Sequence, residues 1–529
     1  MSARNLLVEL FVEELPPKAL KKLGEAFAAA LVESLVAQGL AEAGAAVTNF
    51  ASPRRLGAHV GGVLGRAADK PVSTKLMPVG VGLDADGKAT PALLKRLAAL
   101  GADESAVAQL RRAADGKNEA LFHDSIAPGT TLADGLQRAL EAAMVKLPIP
   151  KVMTYQLEDG WSTVNFVRPV HGLVALHGAD IVPISVLGLE AGRMTQGHRF
   201  EASVSPVALA NADSYGQQMA EEGAVIASFA ERRAEIARQV QAAAAPLGLR
   251  PVEDDALLDE VTALVERPNV LVGKFEEAFL EVPPECLILT MKANQKYFPL
   301  LDAAGKLTNQ FLIVSNISPA DASAVIRGNE RVVRPRLADA KFFFDQDQKK
   351  TLAERVPGLA KVVYHNRLGS QGERVERVRA IARWVAGKVG ADVELADRAA
   401  LLAKADLLTD MVGEFPELQG IMGGYYARHD GEDETVAQAI SDQYLVRRDE
   451  TEDVSNLVSE VLQIADRMET LVGIWGIGLK PTGDKDPFAL RRHALSVIKS
   501  FQLLGGMSDL DKTDMRLTID DLIEFALSA

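Results

Sequence analysis

The sequence predicts a multidomain α+β protein, with a mixed α/β N-terminal half followed by an all-helical domain. Three observations lead there. The chain has 529 residues, several times the roughly 150 of a single-core domain. Apolar residues recur with periods of both two and 3.6 up to about residue 344, and with the helical period alone from 345 onward. Alanine and leucine supply much of the apolar content while aromatics make up only 5%, a mixture that favours helices.

The elements follow in order. Leu6, Val8, Leu10 and Val12 alternate with Leu7 and Phe11 opposite, which predicts a strand covered on both faces. Pro16-Pro17 opens a helix, Leu20, Leu23, Phe27, Leu31 and Leu35 share one face, and Gly39 ends it. Strands follow at 45–51 and 57–63, and the polar stretch 66–74 reads as a loop. Residues 91–113 read as helical with a break near Gly101, and 131–146 as an amphipathic helix. Strands punctuated by Gly and Pro run from Val164 to Leu187. A long Ala- and Arg-rich helix covers 217–246, and short strands and turns fill 258–316. Helical patterns then dominate at 350–358, 370–389, 394–412, 434–445, 452–475 and 487–503. The resulting division is an N-terminal α+β unit (1–65), a mostly helical insertion (66–160), an α+β module (161–344), a helical domain (345–505) and the start of a further C-terminal region (506–529).

Composition narrows the function classes. A hydrophobic content of 48% with 25% charged residues is that of a soluble globular protein. The net charge of -14 makes the surface as a whole repel nucleic acid, so any RNA contact has to rest on local basic patches. The single cysteine, Cys286, permits neither an intrachain disulfide nor a thiolate metal cage, and its apolar setting predicts a buried, inert thiol. The N-terminus lacks a signal core, and no apolar run approaches the ~20 residues that cross a bilayer, so a cytoplasmic location is expected. There is no G-x-x-x-x-G-K-[ST] loop, no Rossmann glycine fingerprint and no H-E-x-x-H pair.

The most informative segment runs from Arg327 to Phe344. Between Arg327 and Lys341 lie five cations and two anions, followed by Phe342, Phe343 and Phe344. Cations set against the sign of the whole molecule suit a polyanion, so Arg331, Arg334, Arg336 and Lys341 are candidate phosphate contacts. The same pattern fits a helix whose arginines face water while the phenylalanines enter the core. In Met291 to Pro299, Lys292 and Lys296 are candidates for phosphates, Asn294 and Gln295 for base edges or ribose, and Tyr297 for stacking; a strand with a polar face fits equally. Tyr155, Arg168, His171, Arg193, His198 and Arg199 are scattered polar positions of the same half. Residues 429–453 carry nine carboxylates and two arginines, a solvated region unsuited to RNA. Asp486 can cap a helix that has Pro487 in its first turn.

His365, Asp406 and Asp466 are ordered like the metal ligands of an HD-type phosphohydrolase. That chemistry needs a His-Asp doublet to hold a divalent ion that activates water. Here the doublet reads Ala405-Asp406, preceded by Lys404. A methyl group ligates nothing and an ammonium opposes a metal, which leaves a degenerate, metal-free HD scaffold as the expectation.

Taken together, these segments resemble the β subunit family of the bacterial heterotetrameric (α2β2) glycyl-tRNA synthetases. The resemblance is carried in order by Leu6 to Pro16, Ala51 to Leu56, Val167 to His171 and Thr195 to Phe200. It continues through Met291 to Pro299, Arg327 to Phe344, Lys404 to Leu407, Gly413 to Gly423 and Pro481 to Arg492. It implies an N-terminal half partly like the editing-type module of phenylalanyl-tRNA synthetase β chains, placed at 161–344, and an HD-like helical domain. It implies a tRNA-binding subunit of a class II glycine–tRNA ligase with no catalytic residue of its own. ATP and Mg would act on the α subunit, and the partners would be that subunit and tRNA(Gly). An HD-type nucleotide phosphohydrolase and a non-catalytic scaffold are the alternatives. The family's usual anticodon-binding tail is expected to be missing after Ala529.

Overall fold

Strand β1 (Ala3–Val12) organises the N-terminal part of the computed structural model, which describes residues 3–84, 86–115, 118–157, 159–445, 456–507 and 518–529. The chain forms two compact units, one of residues 1–271 with 312–323 and one of 272–311 with 324–529.

In the first unit, α1 (Pro17–Ala37) follows β1. The helix ends where Gly39, at φ 74°, lets its own and the next N–H turn back to the carbonyls of Val36 and Leu35. Strands β2 (Val47–Ser52) and β3 (Arg55–Leu64) form a hairpin. Three further strands, β4 (Lys70–Pro78), β5 (Arg111–Asp115) and β6 (Asn118–Ala127), form an antiparallel sheet of order β4-β6-β5, with α2 (Pro91–Ala98) between β4 and β5 in sequence. Next come α3 (Leu132–Lys146), β7 (Met153–Gln156), β8 (Thr163–Phe166), β9 (Val170–His177) and β10 (Asp180–Ile181). The main sheet has the order β10-β9-β1-β3-β2, so β1 is central and antiparallel to both neighbours. Its period of two sends Leu6, Val8, Leu10 and Val12 into one core with Leu20, Leu23, Phe27, Leu31 and Leu35 of α1. Leu7, on the opposite face, joins a second core with Phe50, Leu176 and Tyr215. Each such fully buried side chain contributes about 1.5–3 kcal/mol. Helices α4 (Tyr215–Glu221), α5 (Phe229–Ala244) and α6 (Asp255–Thr262) complete this unit.

The second unit, from Val272, contains α7 (Pro284–Thr290) and β11 (Phe298–Leu301), then takes up α8 (Ser323–Asp347) from Ala324 onward. The helical part contains α9 (Gln371–Val389), α10 (Val393–Leu402), α11 (Ile421–His429), α12 (Glu434–Asp442), α13 (Leu457–Gly476), α14 (Leu490–Met507) and α15 (Ile519–Ser528). The buried Asp347 at the end of α8 accepts from the amides of Asp410 (2.8 Å) and Met411 (3.0 Å) and from the Tyr426 hydroxyl (2.9 Å). No helix among the described residues is long and apolar enough to cross a membrane.

Several sequence expectations change. The 66–160 insertion is not mostly helical: β4 occupies most of the expected loop, and β5 replaces the end of the expected helix at 91–113. These strands are largely exposed and polar, so they lack the alternation that announces a half-buried strand. The helix expected over 217–246 is broken between Glu221 and Phe229, where Ser228 caps the second piece by accepting from the Glu231 amide at 3.3 Å. Asp486 does act as a cap, but for a helix starting at Leu490, through the amides of Leu490 and Arg491 (2.9 Å each). Within the 506–529 region, residues 508–517 lie outside the described residues, and in α15 Phe525 stacks on Trp384 at 4.7 Å. Residues 446–455, the second half of the acidic stretch and the start of the helix expected at 452–475, also lie outside them.

Candidate nucleic-acid interface

The cation-rich segment forms the long helix α8. Val333, Leu337 and Ala340, at spacings of four and three, face inward, so the helix is anchored along one stripe. Pro335 lies on the exposed side, and its missing N–H leaves the Arg331 carbonyl without its helical partner where water can reach it.

The cations separate into two groups. Arg334 donates to Glu276, and Lys341 donates to Glu281 (2.9 Å) and Asp345 (3.3 Å). These carboxylates hold the Lys341 ammonium above its ordinary value, with the Glu281 hydrogen bond the largest cause. On the same helix Glu330 accepts from the Lys274 amide at 2.9 Å. Arg331 and Arg336 are exposed and form no hydrogen bond or ion pair among the described residues. Five residues apart, they project from different flanks of the helix, so the segment is not one continuous basic strip. The phenylalanines divide as well. Phe342 is 57% exposed, and Phe344, half-buried, stacks on Tyr426 at 6.0 Å.

The Met291–Pro299 segment is no strand. Helix α7 runs on into a π-helical turn, Met291–Gln295, which Lys296 closes in a left-handed conformation at φ 60°. A π turn with a strained non-glycine residue is a frequent mark of a functional surface. Asn294 is exposed, Gln295, Lys292 and Lys296 are half-buried, and the Lys296 ammonium donates to the Ala293 carbonyl at 2.8 Å. Tyr297 corrects the sequence reading. It is only 4% exposed, its ring stacks on Phe311 at 4.8 Å and its hydroxyl donates to Asn329 at 2.7 Å. Burial raises its phenol to about 12. Tyr297 is a core residue joining this turn to α8, with no face left for a base. Cys286 matches its expectation: it is buried, 3.2 Å from the Met422 sulfur, and burial pushes its thiol up to about 12.

The three HD positions do not come together as a ligand set. His365 packs edge-on against Phe488 at 6.1 Å. Asp406 is fully buried and accepts from the Gly420 amide at 2.5 Å; burial raises its carboxyl to about 6. Asp466 lies 3.0 Å from both Arg374 and Lys404, and these cations, Arg374 first, hold its carboxyl well below the usual range against the opposing effect of burial. Lys404 also donates to Gln443 (2.8 Å) and Tyr444 (2.9 Å). Arg374 also donates to Glu469 (2.8 Å) and Thr470 (2.8 Å). Lys404, Arg374 and Asp466 line a cavity of about 430 Å³. Among the described residues no group of three or more His, Cys, Asp or Glu is placed to hold a metal ion.

The scattered polar positions of the first unit are mostly structural. Tyr155 accepts from the Val170 amide, Arg193 donates to the carbonyls of Ala179 and Leu209, and His171 pairs with Glu13 at 3.0 Å.

Comparison with known proteins gives a consistent answer. The profile of the family described as Glycyl-tRNA synthetase beta subunit matches residues 6–528. A Glycine--tRNA ligase beta subunit of Thiobacillus denitrificans is 71% identical over 531 residues, covering 100% of this chain and 74% of the relative. Proteins of the same description from Janthinobacterium sp. and Dechloromonas aromatica are 69% and 66% identical, covering 97% and 99% of this chain and 74% of each relative.

Proposed function

This chain belongs to the glycyl-tRNA synthetase beta subunit family, and we propose that it holds and orients tRNA(Gly) while an α subunit makes the ester. As a member of that family it is a subunit of an aminoacyl-tRNA ligase that serves protein synthesis. The partners in this reading are the α subunit, in an α2β2 assembly, and tRNA(Gly), in the cytoplasm. ATP and Mg are handled on the α subunit, with this chain supplying no catalytic residue. The order of His365, Asp406 and Asp466 supports an HD-like descent for the helical part, with Lys404 contributing positive charge beside Asp466. In the same reading, residues 161–344 derive from an editing-type module like that of phenylalanyl-tRNA synthetase β chains.

The observation that carries the RNA reading is the pair Arg331 and Arg336, exposed and without partners among the described residues, in a protein of net charge -14. Unpaired guanidiniums can displace the counterions condensed on RNA phosphates, whereas Arg334 and Lys341 would first have to leave Glu276 and Glu281. Lys292, Lys296, Asn294 and Gln295 extend the contact set through the π turn. Reversing charge at both sites (Arg331→Glu with Arg336→Glu) should weaken tRNA(Gly) binding and make the negative slope of log K against log salt shallower by roughly 2, about one per phosphate contact. Filter binding across a salt series measures this. An unchanged slope in a folded variant would remove α8 from the interface.

A further inference from the structure

The first unit contains a cavity of about 380 Å³, inside the roughly 300–1,000 Å³ range of small-molecule sites. It brings together residues distant in sequence: Arg54, Arg168, the His198–Phe200 turn and Asn316. Beneath it a buried network sets the geometry. Arg55, 0% exposed, donates to Glu266 (2.6 Å), Ser52 (3.1 Å) and the Gln196 carbonyl (2.7 Å), which fixes the 196–200 turn beside the Ser52–Arg55 corner. Glu9 accepts from Thr195 and Tyr215 from the other side of Arg55.

The groups left over at the cavity are donors. His198 is 3% exposed, and its Nδ1 accepts from the Phe200 amide at 3.2 Å, so Nε2 carries the proton; that buried Nε2 has no hydrogen-bond partner among the described residues. The buried Nε of Arg54 has none either; its guanidinium forms no ion pair among the described residues and rests on the Phe11 ring at 4.6 Å, while burial and the neighbouring Arg199 lower its pKa against the weaker pull of Glu266 and Glu13. Asn316 spends its side-chain oxygen on the amides of Glu266 (2.7 Å) and Arg267 (3.1 Å), which turns its NH₂ into the remaining end. Both carboxylates of the lining already face arginines. Glu266 is bound by Arg55, and Glu14, at the rim, lies 3.9 Å from Arg199. At the mouth stands Phe200, 81% exposed, a flat apolar ring offered to solvent.

Unpaired donors call for a ligand rich in acceptors, and an exposed ring beside them suits a base. We propose that this cavity binds a nucleotide, with the phosphate against Arg54, His198 and Asn316 and the base on Phe200. The nucleotide is either free or the end of a single-stranded RNA. The site does not depend on α8, so it stands or falls separately from the interface described above.

Titration calorimetry of the 529-residue chain with AMP and with inorganic phosphate tests it, each variant first being shown to melt cooperatively. AMP should bind, and phosphate should bind more weakly. Arg54→Gln should weaken both by at least about tenfold, as loss of a charged hydrogen bond does. Phe200→Ala should weaken AMP by about tenfold and leave phosphate unchanged. His198→Asn, as a second variant, should also weaken both. Competition separates the two sources. Displacement of AMP by tRNA(Gly) identifies an RNA end, and simultaneous binding identifies a free nucleotide; either outcome supports the site. The Arg331→Glu, Arg336→Glu variant should retain its affinity for AMP. Absence of AMP and phosphate binding to the folded chain, binding indifferent to Arg54→Gln, or loss of AMP binding in the α8 variant would overturn the proposal.

Discussion

Two cavities of similar size, one in each unit, use their cations in opposite ways. In the helical part Lys404 and Arg374 are turned onto Asp466, Glu469, Gln443 and Tyr444, and the buried lining atoms left without a hydrogen-bond partner among the described residues are uncharged, the Gln371 side-chain oxygen and the Tyr364 hydroxyl. In the N-terminal part Arg54 and His198 line the wall with buried N–H groups that no group among the described residues answers. The lesson is that a tally of positive residues does not identify a binding site. What identifies one is the charge or donor left over after the fold has used the rest, because an unanswered buried donor costs about 1–3 kcal/mol until a ligand arrives.

That contrast can be broken at its strongest point first. Asp466→Ala leaves Arg374 and Lys404 facing each other with their shared carboxylate gone, and should destabilise the protein by about 3–5 kcal/mol in urea unfolding. A loss under about 1 kcal/mol would mean that the helical cavity is not held by its charges. A smaller effect concerns Asp406. Its folded-state carboxyl, raised to about 6, lies above the roughly 3.9 of an unfolded chain, so the native state holds the proton more tightly. Stability should therefore fall as pH rises from about 4 to about 6, and Asp406→Asn should flatten that part of the profile. Thermal melts across that range, comparing the two proteins, read it directly. The smallest effect belongs to the other cavity. Arg54→Gln gives up a cation–π contact with Phe11 and an attraction to Glu266 and Glu13 that repulsion from Arg199 opposes, and should cost about 1 kcal/mol or less in unfolding free energy. A loss of 3 kcal/mol there would make Arg54 a fold-holding residue like Arg374.

Much of the architecture was legible where periodicity is strong. Leu20, Leu23, Phe27, Leu31 and Leu35 announce α1, and all five are buried. The α9 and α13 patterns likewise match observed helices, as far as the described residues extend. The β4-β6-β5 sheet was not legible because strands wet on most sides carry no period-two signal. Tyr297 misled for a different reason. An aromatic among lysines and amides has the composition of an RNA-binding surface, but the π turn ahead of it directs the ring onto Phe311. The cation run of α8 was legible as charge. Its division into paired and unpaired members depends on Glu276 and Glu281, 58 and 60 residues before their partners in the chain. The N-terminal cavity was visible only as isolated polar letters, since Arg54, His198 and Asn316 meet through tertiary structure alone.

Arg54 and Arg55 stand side by side in the chain, one with no ion pair among the described residues and the other fully enclosed and bound to Glu266. A genetic screen for lost viability would score damage at either position alike. The two phenotypes would part only when soluble protein is quantified: disruption of the enclosed neighbour should deplete the cell of the subunit, whereas damage next door should leave normal amounts of an impaired one.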